Sequence, residues 1–354
     1  MCPKRLAGHL AACARRLLPL LLCTVPAAVQ AQFEYSTKGR TVSITRYTGP
    51  GGAVTVPDTI NGLPVTSIGN LAFHCRTSLA EVMIPNGVTN IGNGVFHGCS
   101  SLTSVAIPNS VTRIGPWAFS GCTGLTAIAV DALNSSYASL DGVLFDKSRA
   151  TLIQCPGGKT GVYTIPDRVT GIAEGAFSGC TGLTAIAVDA LNSSYTTLDG
   201  VLFDKNLNTV IRCPEGKAGT YTIPDRVTSI GPEAFHGCSG LTSVAIPNSV
   251  TRIEWGAFSH CTRLVSVTIP EGVTGIHGTC RCFLSVTGVP RWGVFAGCTA
   301  LRAVHFEGDA PSLNHNGAFE GAGKATVYYS PGATGWGHTF DGRPTALSES
   351  AQFR

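Results

Sequence analysis

The sequence predicts a single elongated domain, a β-rich solenoid of short strands joined by 3-10 or helical turns. Two observations support this fold class: a short motif recurs every 23 residues, and apolar residues alternate within each copy. Self-similarity at a fixed period of roughly 20–50 residues is typical of repeat architectures. Because one unit cannot bury its apolar side chains alone, stacked units are expected to share one core.

The repeat is clearest in residues 102–124, which read LTSVAIPNSVTRIGPWAFSGCTG. Leu102, Val105 and Ile107 are predicted to point inward from a short strand, since alternate side chains of a strand share a face. Pro108 then ends the strand, because proline has no N–H to donate to a ladder. An Ala-Phe or related pair follows in each unit and is expected to enter the core, at Phe73, Phe96, Phe119, Phe177, Phe235, Phe258, Phe295 and Phe319.

Insertions interrupt the 23-residue period. Two intervals between successive phenylalanines are 58 residues long, and both contain VDALNSSY, LDGVLFDK and Cys-Pro in that order. The β-rich runs on either side of the Asp-Lys turn predict a hairpin in each. A later insertion is unrelated. Insertions in a solenoid lie on one side and often build its binding face, and here they are expected at about residues 131–162, 189–220 and 277–290.

The pattern L-x-x-[VI]-x-[IV]-P-x-x-V-T-x-I-G-x-x-A-F-x-G-C resembles the BspA-like leucine-rich repeats, which occur in exported and surface proteins of bacteria and some protozoa. The resemblance covers roughly residues 54–319. It implies a leucine-rich-repeat solenoid with a surface or binding role, and it implies no catalytic residue.

Residues 1–31 have the pattern of a secretory signal peptide. Basic residues precede an apolar run at residues 17–25, which is too short to span a bilayer, and a small-residue cleavage site ends at Ala31. We therefore expect an exported protein, either extracellular or held at the cell surface or outer envelope. Two alternatives stay open, a twin-arginine signal at Arg15-Arg16 and a lipidation site at Cys23.

Composition and charge narrow the function classes. The chain is 44% hydrophobic and 13% charged, which excludes a disordered polymer. Removing the signal takes away four basic residues and leaves 21 basic and 21 acidic ones, so the net charge of +4 indicates neither nucleic acid nor anionic membrane as a partner. No later apolar run is long enough for a transmembrane segment. The expected organisation is a cap hairpin at 32–53, repeats at 54–320, and a cap and tail at 321–354.

Six of the 14 cysteines recur at one repeat position. Stacked coils place equivalent positions about 4.8 Å apart, and in-register disulfides would be strained, so a buried structural ladder is expected. Cys155 and Cys213 could instead pair across the two insertions. Cys280 or Cys282 could take part in a disulfide, or both could form a metal site with His277. The predicted ladder comprises Cys99, Cys122, Cys180, Cys238, Cys261 and Cys298.

No catalytic, cofactor-binding or metal-binding residue is predicted. His74, His97 and His236 share a repeat position and could hold a metal if stacked, but exposed turn residues are the favoured interpretation. Asn134 and Asn192 match glycosylation acceptors, which matters only in a eukaryotic host. No serine-histidine-aspartate order, phosphate-binding loop or paired-carboxylate motif occurs.

The predicted function is a non-enzymatic scaffold for binding or adhesion to a protein or polysaccharide. The alternative is a structural, self-associating cell-envelope protein. Outward strand positions carry mostly Ser, Ala and Thr, whereas interaction hot spots favour Trp, Tyr and Arg, so partner contacts are expected on the insertions. The ligand and the oligomeric state stay open. The candidate contact residues are Tyr137, Phe145, Lys147, Tyr195, Phe203 and Lys205.

Overall fold

The computed structural model describes residues 31–277, 292–314 and 316–348. Within these residues the chain is a β-solenoid, as the sequence predicts. Most coils contribute a strand of four to six residues to a parallel ladder on one side and a two-residue strand to a ladder on another, and both ladders are interrupted at the two insertions. Paired residues lie one repeat apart, as in Val82 with Val105 and Ile91 with Ile114.

The N-terminal section begins with an antiparallel hairpin whose second strand pairs in parallel with the first coil. A second, shorter hairpin turns at Asn61-Gly62, where both residues have positive φ, as a type I′ turn requires. The strands of this section are β1 (Phe33–Lys38), β2 (Thr41–Tyr47), β3 (Gly52–Thr55), β4 (Thr59–Ile60), β5 (Leu63–Ile68), β6 (Leu79–Met83), β7 (Asn90–Ile91), β8 (Ser104–Ile107) and β9 (Arg113–Ile114).

The middle section contains the two related insertions. Each forms a three-stranded antiparallel meander, whose last strand joins the short-strand ladder in parallel. The strands are β10 (Ala127–Val130), β11 (Tyr137–Leu140), β12 (Val143–Asp146), β13 (Thr151–Gln154), β14 (Gly161–Ile165), β15 (Gly171–Ile172), β16 (Leu183–Val188), β17 (Tyr195–Leu198), β18 (Val201–Asp204), β19 (Thr209–Arg212), β20 (Ala218–Thr222) and β21 (Ser229–Ile230).

The C-terminal section returns to ordinary coils. Its long ladder runs β20–β22–β24–β26–β28–β30 and ends in a small antiparallel hairpin. Trp336 and Phe340 cover the last coil, with ring centroids 5.0 and 5.7 Å from Phe306. The strands are β22 (Gly240–Ala245), β23 (Arg252–Ile253), β24 (Ser266–Ile269), β25 (Gly275–Ile276), β26 (Ala303–Phe306), β27 (Ser312–Leu313), β28 (Thr326–Tyr329), β29 (Thr339–Phe340) and β30 (Arg343–Leu347).

The turns before each buried phenylalanine are not helical, which corrects the expected 3-10 or helical turns. No described residue lies in a helix. Alternate backbone amides here donate to the next coil, as from Phe96 to the Ala118 carbonyl at 2.8 Å and from Gly98 to the Ser120 carbonyl at 2.9 Å. The amides between them donate within the turn, as from His97 to the Gly94 carbonyl at 3.0 Å. Because alternate amides bond to the next coil, the turns lack the consecutive hydrogen bonds that a 3-10 or α-helix needs.

The core of the described residues consists of three large apolar clusters and a small fourth one that contains Trp117 and Trp255. In ordinary coils the phenylalanine rings stack, with centroids 5.6 Å apart for Phe96 and Phe119 and 5.1 Å apart for Phe235 and Phe258. The stack stops at each insertion, where the coil after it places a tyrosine against its own phenylalanine, as for Tyr163 at 6.1 Å. The insertions therefore divide the core.

Strands β12 and β18 are the dividers. Val143, Leu144 and Phe145 are all fully buried. Leu144 packs into the N-terminal cluster, while Val143 and Phe145 pack into the middle one. In β18 the alternation is the same, since Leu202 joins the middle cluster and its two neighbours join the C-terminal one. Each strand is thus buried on both faces and lies between coils.

We predict that Phe145→Ala destabilises the fold by about 3–5 kcal/mol, because it removes a fully buried ring from a core that can collapse only partly. Leu133→Ala in the same insertion is the matched control, since Leu133 is 80% exposed. Its loss should stay within about 0.5 kcal/mol. Urea unfolding measures both, and equal small losses would show that the insertion contributes little to the core.

Candidate functional site

Two of the six predicted partner-contact residues cannot touch a partner. Phe145 and Phe203 are fully buried, so their assignment to a binding surface is wrong. The physical reason is the continuous apolar run Val-Leu-Phe, which lets both faces of β12 and β18 pack against coils. A hairpin lying on the surface would expose one face.

The two tyrosines are half-buried, and their hydroxyls bond to the fold. The Ile114 amide donates to Tyr137 Oη at 2.7 Å, and Tyr195 Oη donates to the Thr170 carbonyl at 3.2 Å. Burial raises the pKa of both phenols. Each tyrosine therefore ties its insertion to the preceding coil.

The two lysines lie at the surface, but their ammonium groups are engaged within the insertion. Lys147 Nζ donates to the Asn134 carbonyl, and Lys205 Nζ donates to the Asn192 carbonyl. These contacts hold the VDALNSSY loop against the hairpin turn.

The asparagines of the acceptor motif are also used inside the fold. Asn134 is fully buried. Its Nδ2 donates to the carbonyls of Pro108 at 2.8 Å and Val111 at 3.0 Å, while its Oδ1 accepts the amides of Ser136 and Tyr137. Asn192 repeats this arrangement. In the folded chain these side chains are not available to a modifying enzyme.

Two clefts open beside the insertions. The first has a volume of about 220 Å³ and lies between the Ile114–Phe119 segment and Ala173, with Ile153 and Gln154 of the insertion in its wall. The second, of about 240 Å³, lies between residues 172–177 and 231–233 and is also lined by Arg212. Ala173 and Glu174 line both, so the clefts share a wall.

The clefts follow from the chain chemistry of the insertions. In ordinary coils the amide of the buried phenylalanine donates to the next coil. In each insertion a cysteine takes that place, as where the Cys155 amide donates to the Ala176 carbonyl at 2.7 Å. The turns on either side then bond directly, from the Gly121 amide to the Ser178 carbonyl at 3.2 Å. Gly175 leaves room for Trp117, because a Cβ there would lie 2.3 Å from Trp117 Cδ1. The Trp117 ring therefore packs directly against the backbone of the segment that separates the two clefts.

The second cleft has a buried ion pair that the first lacks. Arg212 Nη2 donates to Glu215 Oε1 at 2.7 Å, and the two side chains are 6% and 4% exposed. Arg212 Nη1 donates to the Glu233 carbonyl, and the Gly179 amide donates to Glu215. Burial raises the pKa of Glu215, opposed by Arg212. This pair was not predicted from the sequence, although the two insertions differ at both positions.

The equivalent residues of the first insertion are neutral. Gln154 takes the place of Arg212, and its Nε2 donates to the carbonyls of Cys155 and Ala176 at 2.9 and 3.2 Å. Gly157 takes the place of Glu215. The two clefts therefore have similar volumes, and Arg212 lines the second cleft where the neutral Gln154 lines the first.

The six ladder cysteines are buried thiols. Each donates to a carbonyl of the preceding coil, as from Cys99 Sγ to Phe73 and from Cys122 Sγ to Phe96, both at 3.0 Å. Burial raises the pKa of Cys99 and of Cys298 to about 12. Cys155 and Cys213 are free thiols in separate core clusters. The proposed Cys280 and Cys282 sites fall outside the described residues.

Two residues beside the predicted histidines, Cys75 and His260, were not predicted from the sequence. His74 and His97 stack, with ring centroids 5.1 Å apart, and Cys75 lies beside them. On later coils His236 contacts His260 at 5.3 Å. Cys75 and His260 both replace the positive-φ glycine that other coils have here. That exception to the repeat was the available signal.

We predict that Glu215→Gly alone destabilises the fold by about 3–5 kcal/mol, because it leaves the Arg212 guanidinium buried without a counter-charge. Adding Arg212→Gln should recover most of that loss, since the double variant reproduces Gln154 and Gly157 of the first insertion. Chemical unfolding of both variants measures this. Losses that simply add would contradict the coupling.

The comparisons with known proteins agree with this fold. The model of the BspA type leucine rich repeat region matches residues 66–163 and 160–282, in six copies. No curated protein matches the chain. Among the described residues, no helix is long and apolar enough to cross a membrane.

Several solved structures are similar. A leucine rich cell surface protein from Faecalibacterium prausnitzii is 26% identical, with 84% of this chain and 87% of that one covered and a TM-score of 0.42. A leucine-rich repeat protein from Eubacterium ventriosum is 22% identical, covering 83% and 75%, with a TM-score of 0.48. The pneumococcal vaccine antigen PcpA is 16% identical, covering 85% and 92%, with a TM-score of 0.37. With the family model matching more than half of its length, the chain belongs to the BspA-type leucine-rich-repeat family.

Proposed function

We propose that this protein is an exported or cell-surface scaffold that binds a protein or polysaccharide partner and catalyses no reaction. The observation that carries the proposal is the pair of clefts beside the two insertions. They share the wall formed by Ala173 and Glu174, so one elongated partner can reach both.

The lining of the clefts supports binding. Ligand sites are concave and mostly apolar, with a few fixed polar groups, and here Ile153, Ile211 and Trp255 lie beside Arg212 and Glu174. Each volume is below the roughly 300 Å³ at which pockets for whole small molecules begin. Each cleft therefore fits one protruding group of a larger partner, and two adjacent weak sites add through effective concentration.

The chemistry of the thiols supports binding over catalysis. A cysteine nucleophile needs a lowered pKa, whereas burial raises the pKa of Cys99 and the other ladder thiols. The predicted signal at residues 1–31 is the support for export.

Glycan and protein arrays probed with residues 32–354 provide the test. Ala173→Phe should narrow both clefts and weaken capture of any array partner by at least about tenfold, equivalent to about 1.4 kcal/mol. Ala129→Phe, the same change on the outward face of β10, should leave capture unchanged. Thermal melting verifies that both variants fold.

Two results would contradict the proposal. Capture that is unchanged by Ala173→Phe would exclude the clefts. Absence of any array partner, together with concentration-dependent self-association in sedimentation, would favour the alternative of a self-associating envelope protein.

A further inference from the structure

The side chains of His74, Cys75 and His97 converge on the turns of two adjacent coils. One ligand atom from each lies within 4.8 Å of the other two. We propose that these three residues bind a divalent transition-metal ion of the zinc class. The site is separate from the clefts and does not depend on the binding function proposed for them.

The geometry suits a tetrahedral ion. Zinc bonds to nitrogen and sulfur at about 2.0–2.3 Å, which places neighbouring ligand atoms about 3.3–3.8 Å apart. Cys75 Sγ and His74 Nε2 are already 3.5 Å apart. His74 and Cys75 are both exposed, so their side chains can rotate to bring the third ligand about an ångström closer. Three protein ligands leave the fourth position to water or to a partner's group.

The backbone at Cys75 is unusual for a cysteine. Its φ is +55°, a region that residues with a Cβ rarely adopt. Gly98 and Gly121 hold the equivalent position in the next coils, at φ +74° and +71°. A Cβ at Gly98 would approach Cys75 Sγ to 3.2 Å, so that glycine also leaves space for the thiol. Backbone conformation alone favours glycine at Cys75, and a ligand role explains the cysteine.

The two imidazoles suit metal binding. Burial lowers the pKa of His74, and burial with the nearby His74 lowers the pKa of His97 to about 4. Metals bind the neutral form of the imidazole ring. His97 Nδ1 is buried and has no hydrogen-bond partner among the described residues. Such an atom calls for an explanation, and coordination of the metal by Nδ1 itself supplies one.

A second histidine pair provides matched controls. His236 and His260 occupy the same two repeat positions on later coils, with ring centroids 5.3 Å apart. His236 Nδ1 already bonds Ser259 Oγ at 2.7 Å. Within the described ranges, this pair does not form a three-ligand group.

The experiment is calorimetric titration of Zn²⁺ into the reduced, metal-free chain. Cys75→Gly and His97→Ser install residues that other coils carry at these positions, so folding should persist; thermal melting verifies this. Each should lower zinc affinity by at least about tenfold, since even outer-shell losses reach that size. The controls His260→Gly and His236→Ser should leave affinity unchanged. With Co²⁺, the wild-type chain should show a thiolate-to-cobalt charge-transfer band, and Cys75→Gly should lack it.

Three results would overturn the proposal. If the wild-type chain takes up no Zn²⁺, or if Cys75→Gly binds it as tightly as wild type, the proposal is overturned. Equal losses in Cys75→Gly and His260→Gly would also overturn it, because the ligands would then lie elsewhere or the effect would be general.

Discussion

Two-sided burial of strands β12 and β18 is the constraint on which the rest of the structure depends. Ordinary coils stack because each offers apolar side chains to its neighbours through one shared interior. The insertions continue that interior by placing a Val-Leu-Phe strand between coils, with side chains alternating between two clusters. The hairpins are therefore part of the stack and join the ordinary coils on either side.

The same arrangement opens the surface. Each insertion lacks an Ala-Phe turn, so the phenylalanine stack stops and a cleft forms at that level. The two insertions are similar in sequence but differ beside the clefts, where Gln154 lines the first and Arg212 lines the second. The duplicated block thus produces two clefts of similar volume that differ in one polar lining residue, Gln154 or Arg212.

Much of the fold could be predicted from the sequence because it depends on local periodicity. The 23-residue spacing and the alternation around Val105 define the coil, and the insertions are visible as longer intervals. Helical turns were wrongly expected because amide bonding to the next coil, as at Phe96, is non-local. The burial of Phe145 was missed because a hairpin on the surface was assumed, although the unbroken run Val-Leu-Phe indicates burial on both faces.

The candidate sites were harder to predict. The clefts form where side chains of neighbouring coils leave space, which a sequence does not show. Predicting the His74, Cys75 and His97 group requires the register of two coils, and it requires noticing that Cys75 stands where other coils have a positive-φ glycine. The Arg212 and Glu215 pair required a comparison of the two insertions position by position. In each case the residues can be read from the sequence, but which of them lie in contact depends on how the coils stack.

Hydrogen exchange of the amides in β12 and β18, followed by mass spectrometry, tests the central claim most directly. Strands that lie between coils should exchange only with global unfolding, and so as slowly as β8 in the ordinary ladder. Exchange that is orders of magnitude faster in β12 and β18 than in β8 would show that the insertions are surface hairpins and would contradict this account.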